Sequence, residues 1–500
     1  MAVAGNAKVP SDLERWDLSR FHLSVSEGTS RVQSTGTRPQ VVVTGGARGV
    51  VGHAGTRLLT DLADKTGLTS GFVEALGLDR VRRSAHEPGR VAIDLAVLLA
   101  DGGEAIADLA VVRQQPGLFG PVASDATAWR VLDSIDEPAL ARLRAARAAA
   151  RELAWVQLVE TRRSLPATTI LGRSLAGFVL DIDATIVLSH SEKEAAAPTW
   201  KHTFGFHPLL CFLDATGEAL AGLLRPGNAG SNTAADHVTV LDQALAQIPE
   251  QHRYGNPILV RSDSAGSSHA FLAHIRDLRR HGLDTEFSVG VAISEPIRAA
   301  ITAARVWIPA LDGDGSLRDE AQVTELTGLI DPAVLAGFPS GTRLICRREV
   351  PHPGAQLSLF DQVNGMRHQV FATDTPHGSG QSIQFLEVRH RTHARVEDRI
   401  RCGKTTGFGR FPSRQFTINQ AWLELALTGI DLLAWTRHLL LDGPLALAEP
   451  KKLRYRLLHV AAKISRTART TTLRIAAGWP WTEHLIRAFD RLGRLPEPVT

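Results

Sequence analysis

The chain contains 500 residues, of which 44% are hydrophobic, 22% charged and 6% aromatic. This composition is that of a globular protein and excludes a wholly disordered chain, a collagen and a coiled coil. The length exceeds what one hydrophobic core usually organises, so we expect several domains or one domain with a large insertion. The three cysteines are odd in number and far apart, which excludes a disulfide framework and a paired-cysteine zinc site and favours a reducing compartment.

No segment has the pattern of a signal peptide or of a membrane span. The N-terminal residues lack the apolar stretch of a signal peptide, and the most apolar late stretch, 432–441, is short and contains Arg437 and His438. The sequence therefore predicts a cytoplasmic protein with no membrane partner.

Positive charge is concentrated near the C-terminus. The whole chain has 56 Lys and Arg against 52 Asp and Glu, whereas residues 389–494 alone hold 20 basic and 8 acidic residues. Clustered Lys and Arg neutralise phosphates and release condensed counterions, so this region is predicted to contact a polyanion. The alternative is a solvated basic helix surface. With DNA as the polyanion, the protein would associate with the nucleoid.

The N-terminal part is predicted to be helical after a flexible arm. Residues 1–40 are polar with little periodicity and are interpreted as the arm. In residues 55–76 apolar side chains recur at helical spacing with a break near Gly67, which fits either a helix-turn-helix or a generic pair of helices. Helical periodicity continues to Arg163, with basic side chains that face DNA or water. We predict an α-helical DNA-binding domain over residues 41–165.

After Pro166 the pattern becomes that of an α/β domain. In residues 178–188 apolar side chains alternate with polar ones, so Asp181 and Asp183 lie on one face of a strand. Two more strands are predicted, and then a helix, a strand, a helix and a strand, at residues 206–213, 218–224, 234–246, 257–260, 269–281 and 286–293. Three strands, a helix, a strand, a helix and a strand is the order of a ribonuclease-H-like sheet.

The alternation of strands and helices stops after residue 293. The following residues are rich in β-formers, as in 343–350 and 367–373, and helical periodicity returns near Gln384. We therefore predict an α/β fold in which a β-rich insertion interrupts a ribonuclease-H-like catalytic domain. The predicted boundaries are 166–293 and 386–445 for the catalytic domain, 294–385 for the insertion, and 446–500 for a basic helical C-terminal segment.

Three acidic residues in this framework point to phosphoryl transfer. Such chemistry on DNA uses two divalent cations about 4 Å apart, and hard cations prefer carboxylate oxygens. Asp183 lies within the alternating strand, Asp263 at the end of another strand, and Glu397 on the predicted helix 391–404. Each residue alone is common on protein surfaces. Together they predict a cation site in which at least one carboxyl group binds its proton more tightly than usual.

The predicted helix carries more than the glutamate. His390, His393, Glu397 and Lys404 are offset by three, four and seven residues and so share one face. A carboxylate among several arginines is unusual for a surface acid and suits a cation ligand flanked by phosphate binders.

Four segments carry a resemblance to a known family. LDIDAT at 180–185, GFHPL at 205–209, RSDSAG at 261–266 and RTHARVEDRIRCGK at 391–404 resemble those of the DDE transposases of bacterial insertion sequences. The resemblance is closest to the large group, the thirteen-eighty type, with a β-rich insertion between the second Asp and the Glu.

This resemblance implies metal-dependent cutting at the ends of an insertion sequence and transfer of the resulting 3′-OH ends into target DNA. Asp183, Asp263 and Glu397 would be the catalytic residues and the ligands of two Mg²⁺ ions, for which Mn²⁺ would be a substitute. Asp181 is the alternative first ligand. The expected partners are the inverted-repeat ends, target DNA and a second copy of the chain on DNA. Residues expected to contact DNA are Arg391, His393, Arg395, Arg401, Lys404, Lys451 and Arg454.

One departure from related transposases concerns the last helix. Many of them place Tyr, Arg, Glu and Lys at offsets zero, three, seven and fourteen. Here Glu397 and Lys404 match, whereas His390 and His393 occupy the Tyr and Arg positions. Trp307 in the insertion either stacks on a flipped base or packs in the protein interior.

Three other functions fit part of the sequence. A catalytically inactive DNA-binding relic would keep the fold, and a ribonuclease-H-like nuclease would cut without joining. The run VVVTGGARGVVG at 41–52 resembles a dinucleotide-binding turn, but no clean βαβ repetition follows it.

Overall fold

The computed structural model describes residues 42–78, 86–189, 192–230, 233–351, 361, 365–467 and 470–496. The chain divides into residues 1–48 and a compact unit of residues 49–500. The predicted flexible arm, 1–40, lies outside the described residues. Residues 42–48, which form part of the glycine-rich run, have no regular secondary structure, and Val50 and Val51 of the same run form a short strand.

The compact unit begins with a short strand and seven helices. The helices lie in the part of the sequence that has helical periodicity, residues 55 to 163. The elements are β1 Val50–Val51, α1 Arg57–Lys65, α2 Leu68–Gly77, α3 Pro88–Asp101, α4 Ala110–Arg113, α5 Pro116–Phe119, α6 Asp125–Asp133 and α7 Glu137–Arg162.

The helices α1 and α2 are joined at Gly67, whose φ of 72° favours glycine. Helix α2 packs against both α3 and α7. The approach to α3 is close, because a Cβ on Gly89 would lie 2.2 Å from the backbone nitrogen of Val73. On the side of α2 away from these contacts, Ser70 and Glu74 are exposed to solvent.

A nine-stranded sheet forms the centre of the molecule. The strands of the chain up to residue 291 are β2 Thr169–Ile170, β3 Arg173–Ser174, β4 Phe178–Ala184, β5 Val187–Leu188, β6 Ala197–Pro198, β7 Phe204–Phe206, β8 Leu209–Leu213, β9 Ala219–Leu223, β10 Ile258–Ser262 and β11 Thr285–Val291. Five of these strands lie side by side in the order β9-β8-β4-β10-β11. The pairs β9-β8 and β8-β4 are antiparallel, and β4-β10 and β10-β11 are parallel. This is the predicted ribonuclease-H-like arrangement.

The helices that connect these strands are also near their predicted positions. They are α8 Ala234–Gln247, α9 Glu250–Arg253 and α10 His269–Asp277. The predicted strand 178–188 ends earlier, at Ala184. The amide of Thr185 donates to the carbonyl of Pro208, and β5 then leaves for a small sheet with β7 and β6.

The β-rich segment after residue 293 extends the central sheet. It contains α11 Glu295–Ala303, β12 Ile308–Leu311, β13 Leu317–Glu325, α12 Pro332–Leu335, β14 Arg343–Glu349 and β15 Arg367–Thr373. Successive strands from β12 to β15 pair antiparallel, and β15 pairs antiparallel with β11. The sequence predicted these strands but not their continuity with the sheet.

The last part of the chain is helical with a β-hairpin near its end. It contains α13 Ile383–Arg391, α14 Arg395–Gly403, α15 Phe416–Trp435, α16 Gly443–Ala446, α17 Pro450–Leu453, β16 Ala462–Thr467, β17 Thr470–Ile475 and α18 Thr482–Arg494. A 3₁₀ turn, Thr392–Ala394, separates α13 from α14. The prediction of a wholly helical C-terminal segment is wrong over the hairpin, where β-branched residues such as Ile464 and Thr471 favour strands.

Two large hydrophobic clusters hold these elements together. One surrounds α15 and the N-terminal helices, and the other lies between the central sheet and α8 and α10. Buried ion pairs connect α7 to α15 and to the residue before β9, since Arg151 contacts both Asp431 and Glu218. Arg147 and Arg151 therefore face neither DNA nor water. Within the described parts of the chain, no helix is both long and apolar enough to cross a membrane.

Candidate active site

Asp183 and Asp263 come from neighbouring parallel strands of the central sheet. Ile182 of β4 is the register partner of Ser262 of β10, and each aspartate directly follows one of these residues. Adjacent strands lie about 4.8 Å apart, so the two aspartates lie side by side at the C-terminal ends of these two central strands. One carboxylate oxygen of Asp183 accepts from the amide of Ala184 at 2.7 Å, and one of Asp263 from the amide of Ala265 at 2.9 Å.

Gly290 of β11 makes room for the turn that begins at Asp263. A Cβ at this position would lie 2.9 Å from the backbone nitrogen of Ser264 and 3.1 Å from the carbonyl carbon of Asp263. Only glycine fits there without displacing that backbone.

For the DNA cleavage that the sequence predicts, we expect Gly290→Ala to slow the rate by about tenfold to a hundredfold, because small displacements of a reacting group are costly. The measurement is the excision rate at saturating DNA. Gly328→Ala is the matched control, since no atom lies within 4 Å of a Cβ added there. Equal rates for the two variants would contradict this role for Gly290.

Glu397 lies on α14 and completes the acidic group. It lines a cavity of about 550 Å³ together with Asp263, Gly290 and His393. Burial raises the pKa of Asp183 to about 6; the nearby His393 lowers it, and the carboxylates of Asp263 and Glu397 raise it. The structure thus brings the three predicted carboxylates within electrostatic reach of one another.

Asp181, the alternative first ligand, has other partners. It is 2% exposed, and its two oxygens accept from the guanidinium of Arg261, each at 2.8 Å. Burial alone would raise the pKa of Asp181, but the Arg261 guanidinium and His393 hold it below its usual range. A carboxylate that is already neutralised in this way is a poor cation ligand, which favours Asp183.

His393 connects this buried pair to the cavity. Its Nδ1 lies 2.8 Å from an oxygen of Asp181, and its Nε2 is buried with no hydrogen-bond partner among the described residues. The sequence predicted that His393 shares a face with Glu397 but missed Asp181 and Arg261 as its supports. Two features of the sequence could have indicated these supports. Asp181 lies on the same strand face as Asp183, and Arg261 precedes Asp263 by two residues.

His390 is a packing residue. Its ring stacks on Phe371 with centroids 4.4 Å apart and planes 7° apart, and its Nδ1 lies 3.1 Å from the hydroxyl of Ser288. Burial, together with the positive charges of His393 and Arg261, lowers the pKa of His390 to about 3. The imidazole is therefore neutral at physiological pH.

The residues predicted to contact DNA lie in different surroundings. Arg395 and Arg401 are exposed and pair with Asp214 and with Asp398, respectively, each at 3.2 Å. Arg391 pairs with Glu387 at 3.0 Å. The amine of Lys404 donates to the carbonyl of Ile186 at 2.9 Å, and Lys451 is exposed.

Arg454 is buried, contrary to the prediction that it contacts DNA. The exposed fraction of Arg454 is 8%. Its guanidinium donates to the carbonyls of Ala100 and Leu99 and to the hydroxyl of Thr406. These contacts leave Arg454 no surface to offer to DNA. Its role is to fasten the C-terminal segment to the end of α3.

Trp307 packs against the insertion. Its indole nitrogen donates to the carbonyl of Ala304 at 3.3 Å, and the guanidinium of Arg348 lies over its ring, 4.0 Å from the centroid. The half-buried ring, covered in this way, favours packing over base stacking.

Comparisons with known proteins give one family. The sequence profile of the family described as "Transposase DDE domain group 1" matches residues 33–497. No curated protein matches the chain. Among solved structures, the chain resembles the piggyBac transposase in a cryo-EM structure of its synaptic complex with hairpin DNA. The sequences are 10% identical, the match covers 89% of this chain and 86% of the other, and the TM-score is 0.40.

Proposed function

Since the chain belongs to the family of transposases with a DDE domain of group 1, we propose that it cuts DNA at the ends of an insertion sequence and transfers the 3′-OH ends into target DNA. The observation that carries this proposal is that Asp263 and Glu397 line one cavity and that both carboxylates act electrostatically on Asp183. The inverted-repeat ends and the target are its proposed DNA partners, and a homodimer is proposed because two ends must be paired before joining.

The donor set fits Mg²⁺. All three proposed ligands offer carboxylate oxygens, the chemistry that hard cations prefer. Burial raises the pKa of Asp183, and the carboxylates of Asp263 and Glu397 add to that rise. Two Mg²⁺ ions, or Mn²⁺ in their place, would supply the Lewis acidity for attack by water and then by the 3′-OH. Asp183 must lose its proton before it can serve as a ligand.

The other side chains of the site would bind and orient DNA. His393 lines the cavity and acts electrostatically on the carboxylate of Asp183. Arg395 and Arg401 are exposed beside Glu397. The partner of Arg401, Asp398, is exposed and can be exchanged for a phosphate, whereas Arg395 would use the N–H groups that do not contact its buried partner Asp214. Arg391, Lys404 and Lys451 complete the proposed contacts with the DNA backbone.

The test is excision and joining of a marked DNA segment that carries the element's own ends, in the presence of Mg²⁺. We expect Glu397→Gln and Asp263→Asn to bind the ends but to show no excision. Asp398→Asn is the matched control, because it removes the same charge one residue away, at a side chain that is 77% exposed. Excision by Glu397→Gln at the rate of the control would refute the assignment of Glu397.

The same assay separates the alternative functions. A wild-type protein that binds the ends but never cuts them would be a DNA-binding relic. A protein that cuts without joining, measured with precut ends and a supercoiled target, would be a nuclease of the same fold.

A further inference from the structure

A second group of metal-ligating side chains lies apart from the acidic cavity. It consists of His53, Asp101 and His459, each of which offers a ligand atom within 4.8 Å of the other two. His53 directly precedes a 3₁₀ turn at 54–56, Asp101 is the last residue of α3, and His459 follows the helical turn after α17. Three segments that are distant in the sequence thus meet at one point.

Asp101 is the centre of this group. Its side chain is 3% exposed and lies at the C-terminal end of α3, where the helix dipole disfavours a negative charge. The hydroxyl of Thr56 donates to one carboxylate oxygen at 2.6 Å. A buried carboxylate at this end of a helix needs a strong positive partner.

Two imidazoles face that carboxylate. The Nδ1 of His53 lies 2.6 Å from one oxygen of Asp101, and the Nε2 of His459 lies 3.2 Å from the other. The two rings are close, with centroids 4.1 Å apart. His53 holds its place with a φ of 51°, a left-handed conformation that is uncommon outside glycine.

The chemistry of these donors selects the kind of ion. Imidazole nitrogens with one carboxylate suit Zn²⁺ and similar transition metals rather than Mg²⁺ or Ca²⁺. Ligand atoms that share a tetrahedral Zn²⁺ lie about 3 to 3.5 Å apart, since each bond is about 2.0 to 2.2 Å long. The 3.2 Å contact of Asp101 with His459 has this spacing. The 2.6 Å contact with His53 must lengthen, and the Nε2 of His459 must exchange its 2.9 Å contact with the Asp101 carbonyl for the ion. Arg454, which donates to Ala100, is the neighbouring positive charge that opposes a cation.

We propose that His53, Asp101 and His459 bind one divalent transition metal ion of the Zn²⁺ type. A water molecule would take the fourth position. The ion fastens both ends of the compact unit to α3, next to the backbone hydrogen bond from Ala54 to Val460 and the pairing of β1 with β16. This site is independent of the proposed transposition chemistry.

The experiment uses the full-length chain after removal of metal with a chelator, titrated with Co²⁺ and followed by its visible absorption. Every protein carries Asp263→Asn, so that the acidic cavity contributes little. We expect one Co²⁺ per chain with the absorption of a nitrogen- and oxygen-ligated ion. His53→Gln and His459→Gln should each weaken binding by about a hundredfold. His484→Gln, at an exposed histidine, is the matched control and should bind as the parent does.

A second measurement distinguishes the loss of the metal site from a general loss of stability. Zn²⁺ should raise the melting temperature of the parent and of His484→Gln by about 2 to 5 °C, and that of the other two variants by less than 1 °C, each relative to its own metal-free value. Absence of a Co²⁺ spectrum in the parent would overturn the proposal. Equal binding and equal Zn²⁺ shifts in all four proteins would overturn it as well.

Discussion

Asp183→Asn is expected to abolish excision and joining and, at the same time, to stabilise the metal-free protein above pH 6. Burial raises the pKa of the Asp183 carboxyl from 3.8 to about 6; His393 opposes this rise, and Asp263 and Glu397 add to it. Charging the carboxyl in the folded protein therefore costs free energy. The asparagine side chain is neutral and removes this cost together with the proposed metal ligand.

The sign of the pH dependence follows from the two pKa values. Below about pH 4 the carboxyl is protonated in both the folded and the unfolded chain, so it contributes no pH dependence. Between pH 4 and 6 the folded chain holds the proton more tightly, and stability falls as the pH rises. Above pH 6 the full cost is present, on the order of 1 to 3 kcal/mol for a group that is not wholly buried.

The measurement is thermal unfolding in the presence of a chelator at pH 4.5 and pH 8. The gain in melting temperature for Asp183→Asn over wild type should be larger at pH 8. Asp398→Asn, at an exposed carboxyl, should show no such difference. Adding Mg²⁺ at pH 8 should raise the melting temperature of the wild type and reduce the difference in melting temperature between Asp183→Asn and wild type. A variant that is less stable than wild type at pH 8 would contradict the prediction.

The sequence predicted those parts of the catalytic fold that depend on local patterns. Alternation in 178–188 placed Asp181 and Asp183 on one strand face, and the strand-end position of Asp263 followed from the apolar run before it. The same patterns did not reveal that Asp181, rather than Asp183, is paired with a buried arginine. That depends on Arg261 and His393, which are 80 and 212 residues from Asp181.

Pairing partners and burial were the features that local patterns missed. The β-formers in 343–350 and 367–373 predicted strands, but strand periodicity says nothing about whether β15 pairs with β11. Arg454 was predicted to contact DNA as part of the basic C-terminal segment, whereas its contacts come from a helix about 350 residues earlier in the chain. The hairpin β16-β17 was missed because its basic residues Lys463 and Arg466 are three residues apart, a spacing that also fits one face of an amphipathic helix.

Arg151→Met is expected to destabilise the protein by about 3 to 5 kcal/mol, because it leaves buried carboxylates without a counter-charge. Arg151 is fully buried, lies 2.9 Å from Glu218 and also pairs with Asp431. Arg162→Met, on the same helix, removes a partly exposed pair with Asp442 and should cost less than about 1 kcal/mol. The measurement is urea unfolding of both variants against wild type, and equal midpoints for the two variants would contradict the prediction.

The loss should also depend on pH. Burial already raises the pKa of Asp431 to about 6, with Arg151 and Arg147 opposing the rise. Burial would raise the pKa of Glu218, but Arg151 and hydrogen bonds from Thr216 and Trp435 hold it below its usual value. Without Arg151 the pKa values of Asp431 and Glu218 would both rise in the folded chain, so stability falls as the pH rises. We expect Arg151→Met to lose less stability at pH 5 than at pH 8, where both carboxylates must stay charged in the interior. A pH-independent loss would instead indicate that the packing of the arginine stem, rather than its charge, holds α7 against α15.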